Sequence, residues 1–140
     1  MPTLPWITPN PAAPGTRAVV MASRFEVRSL ADVPRFFAKS IAVWRQIGRT
    51  PGALGASLVA HPLRRTFYTL SAWESREALN AFAAAEPHRS VMTSLRDTTK
   101  ESTFTFWQTP VKQLPITWTE AHRRLDEQRR GVADDASTGA

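Results

Sequence analysis

The sequence of 140 residues predicts one α+β domain of ferredoxin-like plan, with the element order β-α-β-β-α-β and a four-stranded antiparallel sheet that carries its helices on one face. Three observations lead to this fold class. A segment of alternating polarity precedes an apolar stripe at helical spacing, two strand-like segments are joined by a link of a few residues, and a second helical segment precedes a final aromatic strand.

The first half of the chain contains an arm, a strand and a helix. Residues 1–16 include five prolines, so we expect an extended arm that Trp6 pins, either across a partner subunit or left mobile. Residues 17–29 alternate between apolar and polar side chains, which predicts a half-buried strand. The helix that follows takes Asp32 as its N-cap and ends at Gly48 in the left-handed conformation.

The second half contains three strands and a broken helix. Residues 53–61 and 65–73 are strand-like, and the short link between them predicts an antiparallel pair. Ser75 stands where a helix N-cap would, and Pro87 suits the first turn of a second helical piece. The fourth strand covers residues 102–109, with Phe104 and Phe106 on one face and Trp107 on the other.

The domain therefore spans residues 17–109, and a C-terminal extension follows it. Residues 110–130 contain two prolines that stop the sheet and a short polar helix from Glu120 to Arg130, with Ala121 and Leu125 facing inward. Residues 131–140 are small and polar, so we expect this tail to be disordered.

Composition excludes several classes of protein. The chain has no cysteine, which rules out disulfides, thiolate nucleophiles and cysteine-ligated metals. It has neither an apolar run of membrane-spanning length nor a signal-peptide start, so we expect a cytoplasmic protein without a membrane span. The net charge of +6 comes from scattered arginines without a recognition helix, which favours a solvated surface over a nucleic-acid partner. No Gly-rich phosphate loop and no metal-ligand spacing is present.

The predicted sheet has a second face that the helices do not cover. We expect Trp73 and Trp107 on that face, and nothing else in the chain looks large enough to bury it. A wide apolar sheet face implies a partner, and a symmetric homodimer is the economical solution.

At this level the chain resembles the antibiotic-biosynthesis-monooxygenase-like superfamily of dimeric α+β barrels, and within it spheroidene monooxygenase-like and uncharacterised actinobacterial proteins. The resemblance covers about residues 17–109, and it is carried by Met21 to Phe25, Arg49 with Pro51-Gly52, Phe67 to Ser75, Ala78-Leu79 with Phe82, and Pro87-His88 with Met92. It implies a small monooxygenase-like protein that acts on or binds an aromatic or polyene metabolite in a pocket between sheet and helices. Members differ in chemistry, so a non-catalytic ligand-binding or accessory homodimer stays open beside the enzyme.

His88 is the candidate catalytic residue, because its helical piece places it on one face with Met92 and Leu95. Three roles stay open for it: a general acid or base, a haem ligand, or a histidine that only caps or packs. We expect no cofactor, with haem as the alternative. His61 and His122 are expected in a surface turn and on a solvated helix, respectively.

Four aromatic residues are candidates to line a pocket for a flat, hydrophobic ligand: Tyr68, Trp73, Trp44 and Trp107. The competing interpretation is that they form core or dimer interface, which is the commoner role of strand aromatics.

Overall fold

The computed structural model of the protein describes residues 3–138, with side chains as far as residue 131. The strands are β1 (Thr3–Ile7), β2 (Arg17–Val27), β3 (Ala53–His61), β4 (Thr66–Trp73) and β5 (Thr99–Pro110). The helices are α1 (Val33–Ile47), α2 (Arg76–Ala84), α3 (His88–Leu95) and α4 (Trp118–Thr138), joined in places by short 3-10 turns.

All strand pairs are antiparallel, in the order β1-β3-β4-β2-β5. The last four have the connectivity of the predicted ferredoxin-like sheet, so the fold class is confirmed, with one strand more than expected. The interior strand β2 pairs with a strand on each side: Met21 lies opposite Ser71 of β4 on one side and Phe106 of β5 on the other.

The additional strand comes from the N-terminal arm, which pairs with β3 of its own chain rather than lying across a second subunit. The indole of Trp6 lies directly over Gly55, where no side chain is present to displace it. Two polar side chains add to this packing. Ser57 Oγ donates to Leu4 O at 2.8 Å, and Asn10 Nδ2 donates to Thr50 O, also at 2.8 Å. Because β1 lies at the sheet edge, its proline breaks no interior ladder.

The ends of α1 differ from those predicted. Asp32 precedes α1, but its carboxylate makes no capping bond and instead accepts from Ser29 Oγ at 3.3 Å. Gly48 has φ −58°, in the right-handed region, because the chain continues through another turn before it reverses. The left-handed residue of this connection is Gly52, with φ +83°. By contrast, Ser75 caps α2 as predicted and accepts a hydrogen bond from Ala78 N at 3.1 Å.

One sheet face packs against α1, α2 and α3. Odd-numbered residues of β2 and β4 point toward these helices, as strand alternation requires. They form two buried clusters, one around Phe25, Phe36 and Phe67, the other around Trp73 and Phe82.

The opposite face, expected to be open, is covered by the C-terminal extension. The residues from the extension that pack on it are Ile116, Ala121 and Leu125, against Val20, Ala22 and Leu70 of the sheet. Ala121 and Leu125 are buried as predicted, one helical turn apart. Trp73, which was predicted on the open face, is fully buried on the face that packs against α1, α2 and α3.

The helix α4 also extends further than expected. It starts at Trp118 and its backbone is helical to Thr138, so residues 131–138 are not the disordered tail that composition suggested. Once a helix is nucleated, each added residue gains a backbone hydrogen bond, and polar composition alone does not stop it. Residues 139–140 lie outside the described part of the chain. Between residues 3 and 138, no helix has the length and apolar character that a membrane crossing needs.

Candidate active site

A cavity of about 260 Å³ lies between the sheet and helices α1 to α3. Its walls are mostly apolar, and residues from β2, β3, β4, β5 and all three helices contribute to it. His88 and Trp44 both line this cavity.

Small side chains on the sheet create the space. Ser23 and Thr69 face the cavity from neighbouring strands and hydrogen-bond to each other. Ser71, two residues after Thr69 on the same face of β4, accepts a hydrogen bond from Trp73 Nε1 at 2.9 Å. Each of these three hydroxyl groups therefore has a hydrogen-bond partner within the protein.

His88 begins α3 and is held at two points. Its backbone N donates to Gln46 Oε1 at 2.8 Å, and its ring Nδ1 lies 3.0 Å from the carbonyl oxygen of Ala83. A carbonyl can only accept, so Nδ1 carries the hydrogen and Nε2 of the neutral ring keeps its lone pair. Burial beside Phe82, whose ring centroid is 4.8 Å away, lowers the pKa of His88, and the bond to Ala83 opposes that shift only in part. His88 is therefore a neutral imidazole at pH 7 with a basic nitrogen available.

Gln46 was not predicted from the sequence. It is buried in α1, and besides holding His88 its Nε2 donates to Phe82 O at 3.3 Å, so it ties α1 to the connection between α2 and α3. The only signal of this role in the sequence is a polar amide on a helix whose other inward residues are apolar.

Of the four predicted aromatic residues, Trp44 is the one that lines the cavity. Its indole Nε1 is buried and has no hydrogen-bond partner within the described residues. An unpaired buried donor costs free energy, so a ligand acceptor placed beside it would be stabilised.

The other three predicted aromatics do not line the cavity. Tyr68 lies on the opposite sheet face, with its ring 4.5 Å from that of His122, which is half-buried rather than solvated. Trp107 is on that face too, under the guanidinium of Arg124 at 4.4 Å. Trp73 lies on the cavity side but is covered by its neighbours. Residues 68 and 73 differ by an odd number, so strand alternation places them on opposite faces.

Two polar residues at the mouth of the cavity were missed, Arg76 and Asn80 on α2. The Arg76 guanidinium lies 4.1 Å from the ring centroid of Phe106, and its Nε donates to Asn80 Oδ1 at 3.3 Å. Arg76, Asn80 and Ala83 follow one another at spacings of four and three residues, which places them on one face of α2 and can be read from the sequence. No group of three or more His, Asp or Glu side chains that could hold a metal ion occurs in the part of the chain that the structure describes.

Comparison with known proteins assigns the family. Residues 26–138 match the sequence profile of a domain of unknown function, DUF3291. The chain belongs to the DUF3291 family. Among curated protein sequences, none matches this DUF3291 chain.

Several solved structures with the same fold are named as oxygenases. A provisionally named antibiotic biosynthesis monooxygenase from Nitrosomonas europaea superposes with a TM-score of 0.61 at 14% identity, covering 76% of the DUF3291 chain and 99% of its own. SnoaB, a cofactor-independent oxygenase from Streptomyces nogalater, gives a TM-score of 0.54 at 20% identity, covering 72% and 100%.

A provisionally named monooxygenase from Lactobacillus acidophilus NCFM gives a TM-score of 0.58 at 13% identity; 64% of the DUF3291 chain is covered, but only 43% of that longer protein. At identities below 25%, these superpositions show a shared fold alone. The closer similarity to spheroidene monooxygenase-like proteins stays a prediction.

Proposed function

We propose that this protein is a small monooxygenase-like enzyme that binds an aromatic metabolite in the cavity and uses His88 as its general base. The observation that carries the proposal is the pairing of a neutral, half-buried imidazole with an otherwise apolar cavity. An apolar pocket with a few convergent polar groups and a titratable group of shifted pKa is the usual form of an active site.

The cavity volume supports a compact ring system over an extended polyene. About 260 Å³ is just below the roughly 300–1,000 Å³ of pockets that enclose drug-sized ligands. The aromatic walls, including Trp44, Phe82 and Phe106, suit the flat faces of a small fused-ring substrate.

The reaction that these groups support needs no cofactor. His88 Nε2 removes a proton from an acidic carbon or hydroxyl of the substrate, and the resulting electron-rich anion is oxidised by O₂. For an anthrone, the balance is one CH₂ group plus O₂ giving one C=O group plus water, so the substrate supplies the electrons.

Haem, the alternative cofactor, does not fit these residues. His88 Nε2 could serve as an axial ligand, but a macrocycle with two propionates is larger than most drug-sized ligands, and the cavity is below their range. No step of the proposed reaction uses haem. An absorption spectrum of the purified protein checks this, since a Soret band would contradict it.

A homodimer also belongs to the proposal, although the open sheet face that first suggested it is covered by α4. Its support is now the outer edge of β5, which pairs with no other strand among residues 3–138 and carries Phe104 and Phe106, 37% and 41% exposed. Exposed aromatics beside a free edge favour contact with a second copy. Light scattering at micromolar concentration tests this, and a monomer mass throughout would exclude the dimer. The alternative function is a ligand-binding or accessory dimer without catalysis.

The activity is tested with anthrone as the probe, by following O₂ consumption and anthraquinone formation above the uncatalysed rate. The wild-type protein should accelerate both with one O₂ per quinone. His88→Gln should lose about two orders of magnitude or more in rate, as is typical when a general base is removed. His122→Gln is the matched control, because His122 lies on the other sheet face, and it should keep the wild-type rate.

Two results separate the open roles of His88. If His88→Gln folds normally and binds anthrone but loses turnover, the histidine is catalytic. If it loses stability and binding together, or if the wild type gives no rate above background while still binding aromatics, the non-catalytic function replaces the enzyme.

A further inference from the structure

We propose that the cavity selects an anionic ligand, a small aromatic carboxylate, and that Arg76 binds its carboxylate group. This inference deepens the proposed function and rests on it only in using the same cavity as the ligand site. It concerns binding selectivity, which is measured without turnover.

The charges around the cavity support the selection. Arg76 is the only Lys, Arg, Asp or Glu among the residues that line it, so no carboxylate of the protein faces the ligand there. Arg76 makes no ion pair with any described residue. A cation at the mouth of an apolar cavity with no anionic neighbour on the wall attracts an anion and repels a cation.

The guanidinium is also oriented for this role. It lies over the ring of Phe106, 4.1 Å from the centroid, and its Nε is engaged by Asn80. These contacts fix the plane of the group while its two terminal nitrogens have no partner among the described residues. A planar guanidinium held in this way presents a fork that matches a carboxylate, and less side-chain entropy is lost when the ligand binds.

The position of Arg76 relative to His88 adds a constraint on the ligand. Arg76 begins α2, and His88 is bonded to Ala83 near the end of the same helix. Seven residues of helix separate Arg76 from Ala83, which is roughly 10 Å along the axis. The carboxylate and the atom that meets His88 therefore lie at opposite ends of the ligand, across a ring system rather than on one ring carbon.

The experiment compares two probes of matched shape, 2-naphthoate and 2-naphthamide, which differ in charge. Binding is measured by calorimetry and by quenching of tryptophan fluorescence in the wild-type protein, in Arg76→Gln and in Arg45→Gln. Arg45 lies on the exposed side of α1 away from the cavity, so its variant removes the same charge without touching the site.

The wild type should bind 2-naphthoate more tightly than 2-naphthamide by about two- to fivefold, the size expected for a partly exposed charge pair. Arg76→Gln should abolish that preference while leaving 2-naphthamide binding unchanged, and Arg45→Gln should retain it. Equal affinity for the two probes, a preference that survives in Arg76→Gln, or failure of both probes to bind overturns the inference. If the preference is present but no oxygen chemistry is found with anthrone, the proposed enzyme fails while the anionic ligand class stands.

Discussion

The contact between Trp6 and Gly55 offers a quantitative test of the N-terminal arm. A Cβ added to Gly55 would lie 1.9 Å from Cζ2 and 2.3 Å from Cε2 of the Trp6 indole, far inside van der Waals contact. Gly55→Ala must therefore push the indole off the sheet. Because that ring holds β1 against β3, the substitution should loosen the whole arm.

The magnitude follows from the area that Trp6 buries. A fully buried Trp removes about 150–250 Å² from water. Trp6 is half-buried, so roughly 100 Å² is at stake, which corresponds to about 2–3 kcal/mol at about 25 cal/mol per Å². Trp6→Ala should lose this amount. Gly55→Ala should lose about 1–2 kcal/mol, since the lower entropy of the unfolded Ala chain returns part of it.

A double-mutant cycle with urea denaturation measures the coupling. In the Trp6→Ala background the clash is absent, so Gly55→Ala should then be neutral or slightly stabilising. Additive losses for the two substitutions would show that Trp6 does not lie over Gly55, and would favour an arm that lies across a partner subunit. Ala12→Gly, on the same arm, serves as a control with no partner at Gly55.

Two further predictions concern pH and the C-terminus. Burial lowers the pKa of His88 below the 6.5 of a free histidine, so kcat/KM should fall on the acid side with an apparent pKa below 6.5, and His88→Gln should lose this limb of the profile. Below pH 6.5 the unfolded chain binds more protons at this site than the folded one. The free energy of unfolding should therefore decrease as pH falls from 6.5, and less so in His88→Gln, measured by denaturation at several pH values. Removal of residues 131–140 should leave the melting temperature within a few degrees, because Leu125 is the last buried residue among the α4 side chains that the structure describes, which end at residue 131; a drop of many degrees would contradict this.

Local pattern predicted most elements of the fold. Alternation in β2, the bounds of β3, the Ser75 cap and the break between α2 and α3 depend on neighbouring residues, and all are present. The same locality placed His88 and Trp44 on inward helix faces, where the cavity contains them.

The predictions that were wrong for the N-terminal arm and the C-terminal helix concern contacts between segments far apart in the chain. The sequence showed a proline-rich arm but not that Trp6 meets a glycine about fifty residues away. It showed a polar C-terminal helix but not that Ala121 and Leu125 complete the core of the second sheet face. Tyr68 is a different case, since strand alternation alone already placed it away from Trp73.

The sequence by itself determined the order of strands and helices from β2 to β5 and the exclusion of cysteine chemistry, because periodicity and composition act over a few residues. Only the tertiary structure decided which groups meet. The tautomer of His88 depends on Ala83 and its backbone on Gln46 of another helix, and Arg76 reaches the cavity mouth because Phe106 of β5 lies beneath it. These contacts join segments far apart in the chain, and their geometry follows from packing the helices on the sheet rather than from any local sequence preference.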